Sequence, residues 1–105
     1  MKSAAPVFAA LGDETRLQIV ESLCDHGPQS ISRLTEGRGV TRQAVTKHLQ
    51  ALRGAGLVRS RRSGRERIWQ VRPDRLADAR EYLDRISQRW DEAIERLRAH
   101  VEHGA

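Results

Sequence analysis

The sequence predicts a mainly α-helical domain with one small two-stranded β-ribbon and a long C-terminal helix. Three observations carry that prediction. Apolar residues recur at steps of three and four behind capping residues at Asp13, Ser30 and Thr41. Strand formers and arginines in 57–71 flank a Ser63-Gly64 turn. From Pro73 the helical spacing runs on with no Gly or Pro until Gly104.

Val7, Phe8 and Leu11 suggest a short first helix ending at Gly12. Asp13 then caps a helix to Cys24, and Glu14 suits the positive end of its dipole. Leu17, Val20, Leu23 and Cys24 recur at helical spacing, which makes Cys24 a buried, inert thiol. Gly27-Pro28 stops that pattern. Ser30 caps the next helix, where Ile31 and Leu34 carry the pattern to about Glu36. Gly37-Arg38-Gly39 makes a turn, and Thr41 caps a second helix running to about Arg53. Two helices so close, with glycine in the connection, form a helix-turn-helix.

On the second of these helices Val45, Leu49 and Leu52 share a narrow stripe. Gln43, Thr46, Lys47 and Gln50 lie opposite. Amides can pair bidentately with adenine, and cations with guanine or phosphate. The ribbon follows at once, with Val58, Ile68 and Val71 as strand formers. Arg59, Arg61, Arg62, Arg65 and Arg67 crowd its tip. Two strands alone are barely stable, so the ribbon must lean on the helices. A basic ribbon after such a helix makes a winged helix, its tip suited to phosphates or a narrow minor groove.

In the last stretch Leu76, Ala79, Leu83, Ile86, Trp90, Ala93, Leu97 and Val101 follow helical steps. A repeat longer than about 25 residues suggests a helix packed on a partner. One long helix is expected, with Tyr82 the place for any bend. Glu81 and Arg85, and Glu92 and Arg96, are spaced to pair as solvated helix support. The chain reads as a single domain over 1–105, with a DNA-binding core at 7–72 and the C-terminal helix at 73–103.

Charge distribution narrows the function. The net charge is +5. Residues 33–67 hold ten basic residues against Glu36 and Glu66, a net of +8, while the flanking segments carry −2 and −1. A basic zone between near-neutral flanks is the footprint of a polyanion binder. The longest wholly apolar run, Val7 to Leu11, is far short of the roughly 20 residues that span a bilayer. Lys2 precedes a short apolar patch that Asp13, Glu14 and Arg16 cut off, so no signal peptide fits and a cytoplasmic protein with no membrane partner is expected. With only Phe8, Trp69, Tyr82 and Trp90 as aromatics, the core is expected to be aliphatic. An enzyme fits poorly: Gly37-x-Gly39 is no dinucleotide fingerprint, and no Walker loop or nucleophile-base context is present.

Several of these segments resemble one family. Ala10-Leu11-Gly12-Asp13-Glu14-Thr15-Arg16-Leu17 is similar to the opening helix junction of the ArsR-type winged helix-turn-helix repressors. Thr41 to Leu52 resembles their recognition helix. Ala55-Gly56-Leu57-Val58 and Arg65-Glu66-Arg67 resemble the entry to the wing and the wing itself. The likeness runs from about Val7 to Val71. It implies a homodimeric repressor of double-stranded DNA, with Gln43, Thr46, Lys47 and Gln50 at bases or nearby phosphates. Thr41 and Arg42 would touch the backbone, and Arg61, Arg62, Arg65 and Arg67 would lie on the wing. First and last helices would form the dimer interface, through Val7, Phe8, Leu83, Ile86, Trp90, Ile94, Leu97 and Val101. Packing of Trp90 inside its own subunit is the competing reading. His48, on the flank of the apolar stripe, reads as a packing residue with a local hydrogen bond.

Many members of that family sense metals, and here the sequence departs from the pattern. Cys24 is the lone cysteine, and Asp91, His100, Glu102 and His103 lack the family's spacing. His100 and His103 read as solvated, so no metal or other cofactor is expected. A metal- or thiol-responsive sensor on the same frame is the alternative, and release by an unidentified inducer would favour a dimer with misaligned reading heads.

Overall fold

The computed structural model describes residues 3–104. Helix α1 (Ala5–Leu11) starts with proline in its first turn and closes at Gly12, whose amide donates to Ala9 O at 3.3 Å. Helix α2 (Glu14–His26) is capped by Asp13, whose carboxylate accepts from the Arg16 amide at 3.0 Å. Strand β1 (Gln29–Ser30) leads into α3 (Ile31–Thr35), capped by the Ser30 hydroxyl. Helix α4 (Arg42–Gly54) is capped by Thr41 through the Ala44 amide.

Helix α4 ends in a Schellman turn. The Leu57 amide donates to Leu52 O at 3.0 Å and the Gly56 amide to Arg53 O at 2.9 Å. Gly56 holds φ +77°, and a Cβ there would meet Cγ of Arg75 at 2.9 Å. Strands β2 (Val58–Ser63) and β3 (Glu66–Val71) form the wing, joined through Gly64 at φ +63°. The turn is centred one residue beyond the expected Ser63-Gly64 pair, with glycine first of its two residues, as a mirror-image turn requires. Helix α5 (Pro73–Glu102) is a single uninterrupted helix.

The order α3–turn–α4–wing is the expected winged helix-turn-helix, with one addition. The sheet has three antiparallel strands in the order β1-β3-β2, not two. Gln29 pairs with Trp69 and Ser30 with Ile68. Gln29 is buried and satisfied: its amide nitrogen donates to the Ser22 carbonyl and hydroxyl, both at 3.1 Å.

The core lies where α2, α3 and α4 meet the inner end of the sheet, with Ile19, Leu34, Val45, Leu49, Leu52, Leu57 and Val58 buried. Trp69 is buried among them, which corrects the expectation of a purely aliphatic core. On α2 the buried residues are Ile19, Val20 and Leu23, while Leu17 and Cys24 are exposed. The inward face is thus rotated from the expected one, and Cys24 is not buried. Val7 is 0% exposed in the protomer's own core, so it has no surface to offer a second copy.

Helix α5 touches the rest only at its start. Ala79 is buried, Leu76 is partly buried, and Tyr82 packs on Phe8 of α1 with ring centroids 5.6 Å apart. Beyond that the helix projects. The radius of gyration is 18.7 Å, against roughly 13 Å for a compact chain of this length. The expected Glu81–Arg85 and Glu92–Arg96 pairs do not form. Helix α5 carries Arg75–Asp78 and Arg98–Glu95 instead, at 3.1 and 3.2 Å. Exposed pairs contribute little, so spacing alone does not choose among them.

Candidate nucleic-acid interface

The position of α4 is set from beneath. Val45, Leu49 and Leu52 are fully buried, so the opposite face must point outward. A junction at the start of α2 steadies the assembly. Asp13 caps α2, and its carboxylate lies 3.9 Å from Nδ1 of His48 on α4. Nε of Arg16 donates to Ala10 O of α1 at 2.6 Å. The hydrogen bond from the Arg16 amide holds the Asp13 carboxyl below its ordinary value of 3.8; desolvation opposes this, and the charges of His48 and Arg16 and the Thr15 amide assist. His48 is half-buried, facing this junction.

On the outward face Gln43, Lys47 and Gln50 are exposed. Thr46 is half-buried and donates its hydroxyl to Arg42 O at 2.9 Å, leaving its oxygen lone pairs and methyl group outward-capable. The Thr41 oxygen caps the helix, yet its hydroxyl proton remains available to an acceptor. Arg42 is exposed and reaches back to α3, where Nη1 donates to the Ser32 hydroxyl at 3.2 Å. A shallow depression is lined by Arg42, Gln43, Thr46 and Lys47.

The wing's register sorts its arginines. Arg62 pairs with Arg67, Ser60 with Trp69, and Val58 with Val71. Side chains alternate along a strand, so these six share a face. Its inner end, Val58 and Trp69, is buried against the helices, and its outer end carries Arg62 and Arg67. Arg67 donates to the Ser60 hydroxyl at 2.9 Å. Arg59 and Arg61 lie on the opposite face with Ile68 and Gln70, so the candidate arginines are not one cluster.

A cleft of about 180 Å³ separates the starts of α3 and α4 from the wing. Arg42, Arg62, Arg65 and Arg67 line it together with Ser30, Ser32 and Glu66. The two serines and Glu66 were not among the residues expected at the site. Ser30 signalled only a cap, and nothing local marks Ser32. Their proximity to the wing comes from the pairing of β1 with β3, which is a tertiary fact.

Helix α5 bears the other exposed feature. Leu83, Trp90, Ile94, Leu97 and Val101 are exposed, Trp90 at 68% and Val101 at 71%, while Ile86 is half-buried. Trp90 therefore does not pack inside its own subunit. His100 and His103 are exposed near the helix end. Among the described residues no three His, Cys, Asp or Glu side chains are grouped to hold a metal, and no helix is long and apolar enough to cross a membrane.

Residues 13–60 match the family model described as "Bacterial regulatory protein, arsR family". The chain is 40% identical over 93 residues to the HTH-type transcriptional regulator Rv2034 of Mycobacterium tuberculosis, covering 89% of this chain and 83% of that protein. Among solved structures, an ArsR-like transcriptional regulator from Rhodococcus sp. RHA1 superposes with a TM-score of 0.74 at 40% identity, covering 90% of this chain and 88% of that one. A homodimeric winged helix-turn-helix DNA-binding domain from Mycobacterium bovis superposes with a TM-score of 0.65 at 26% identity, covering 84% and 81%. With the fold, the capped α4 and the wing all in agreement, the chain belongs to the ArsR family, whose members are transcriptional regulators and not enzymes.

Proposed function

We propose that this protein is a cytoplasmic, homodimeric repressor that binds a pseudo-palindromic operator in double-stranded DNA. The observation that carries the reading is α4: one stripe fully buried, the other face offering two amides and an ammonium group beside an arginine-rich wing. Gln43, Thr46, Lys47 and Gln50 read base edges in the major groove. Thr41 and Arg42 fix the helix start on the backbone, and Arg61, Arg62, Arg65 and Arg67 bring the wing to the flanking duplex. Repression follows from blocking polymerase access, and an inducing ligand or partner would act by misaligning the two reading heads.

The exposed stripe of α5 supports the dimer. Complete burial of a large apolar side chain contributes roughly 1.5–3 kcal/mol, and association costs roughly 4–15 kcal/mol. Five such residues from each of two copies reach that balance even when half covered. The homodimeric neighbour from Mycobacterium bovis points the same way. A twofold pair holds its recognition helices about one DNA turn apart, roughly 34 Å, and so selects a twofold-related site.

Selection of genomic fragments with purified protein, followed by footprinting, tests the reading. Two symmetric protected half-sites are expected, with affinity falling steeply as salt rises. Equal binding to random and selected duplexes at the same salt would contradict it. Exposure of Cys24 favours one second reading, a thiol-responsive sensor on the same frame. Its mark would be loss of DNA binding on thiol oxidation; oxidised protein that binds normally would exclude it.

A further inference from the structure

The cleft between α3 and the wing is a charged recess with a defined geometry. Arg62 and Arg67 sit directly opposite each other on neighbouring strands. Like charges in that position destabilise a ribbon. None of Arg42, Arg62, Arg65 and Arg67 has a salt-bridge partner among the described residues. Two of these guanidinium groups are instead aimed by hydroxyls, Arg42 by Ser32 and Arg67 by Ser60. Glu66 is the one acid among the lining residues. A recess with four cations, serine hydroxyls and a single carboxylate is built for a tetrahedral oxyanion, which accepts several charge-assisted hydrogen bonds at once.

We infer that this cleft seats one backbone phosphate of the bound duplex, outside the segment read by α4, and that Glu66 limits how tightly it is held. The inference rests on the DNA-binding reading and adds to it a separate anchoring point on each protomer. Arg62 and Arg67 clamp the phosphate from the wing side, and Arg42 with Ser32 closes it from the helix side. Because β1 binds the start of α3 to β3, the seat also fixes the wing relative to α4. Phosphate contacts of this kind set register on the duplex without reading sequence. Arg61 does not line the cleft and takes no part in the seat.

The test is ethylation interference together with the salt dependence of binding to a selected duplex. In wild type, one phosphate per half-site should block binding when ethylated. In Arg62→Ala with Arg67→Ala, that interference disappears, and the slope of log affinity against log salt becomes shallower by about one per protomer. The preferred base sequence stays the same. Arg80→Ala with Arg85→Ala, on α5, changes net charge equally and should leave the interference pattern intact. Glu66→Gln should tighten binding. An unchanged slope and interference pattern in the double wing variant, or unchanged or weaker binding in Glu66→Gln, overturns the seat. The interference pattern also distinguishes the source of the anion: a cleft that takes only a free ion would give no blocked backbone phosphate that depends on Arg62 and Arg67, and that result overturns the phosphodiester. Failure of wild type to bind any duplex is a separate result, which removes the DNA reading and the seat with it.

Discussion

Helices α4 and α5 carry the same apolar rhythm and meet different fates. On α4, Val45, Leu49 and Leu52 are sealed by their own chain. On α5 beyond Tyr82, Leu83, Trp90, Ile94, Leu97 and Val101 follow a comparable rhythm and remain exposed. Helical periodicity therefore reports that a helix has an apolar face, but not whether its own chain covers it. The remaining faces differ too. That of α4 is polar and carries Lys47 between two exposed glutamines, while that of α5 alternates acids and arginines and carries little net charge. On the proposed reading, one helix turns its polar side to DNA and the other its apolar side to a second copy.

The comparison is sharpest where the two stripes are cut in the same way. Leu49→Ala empties a sealed site and is expected to cost about 2–5 kcal/mol in urea unfolding. Leu97→Ala should act on self-association instead, leaving the protomer's core packing intact by near-ultraviolet circular dichroism. A loss of core signal in Leu97→Ala, or wild-type stability in Leu49→Ala, would break the distinction. Replacing Trp90 and Leu97 together with Glu should give monomers in sedimentation velocity and weaken binding to a full operator at least tenfold, on the order of the 1.4 kcal/mol or more lost when two half-sites bind separately. A persistent dimer would place the interface elsewhere.

On the polar side of α4 the effects are smaller. Gln43→Ala or Lys47→Ala should weaken operator binding by about 1–3 kcal/mol with the fold unchanged. Gel-shift titrations that find wild-type affinity for both would remove the site. The smallest effect belongs to Asp13. Its folded pKa is depressed, so its charge stabilises the fold above the ordinary value of 3.8, and that contribution is lost as pH falls through the lower folded value. Asp13→Asn keeps a cap but not the charge. It should melt slightly below wild type at neutral pH, with the gap closing as pH drops below 3.8. A gap that widens in acid would contradict the sign.

Much of this was legible in local chemistry. Asp13, Ser30 and Thr41 each accept the amide three residues on, because a free donor at a helix start needs an acceptor whatever the surroundings. What depends on distant contacts was not legible. Strand β1 has two residues, too few for any period, and exists only because β3 passes beside it. Helix α2 has apolar residues on too many sides, so Ile19 rather than Leu17 faces inward. Val7 and Trp69 needed the packed layers to show that they belong to the core. At the site, composition marked every wing arginine alike; register divides Arg62 and Arg67 from Arg59 and Arg61, and the pairing of β1 with β3 sets the start of α3 beside the cleft that the first pair lines.

Sedimentation equilibrium with a duplex carrying a selected twofold site measures the account's main claim most directly. Two wild-type chains per duplex are expected, with the Trp90→Glu, Leu97→Glu variant binding as independent single chains. One wild-type chain per duplex at saturation would contradict it.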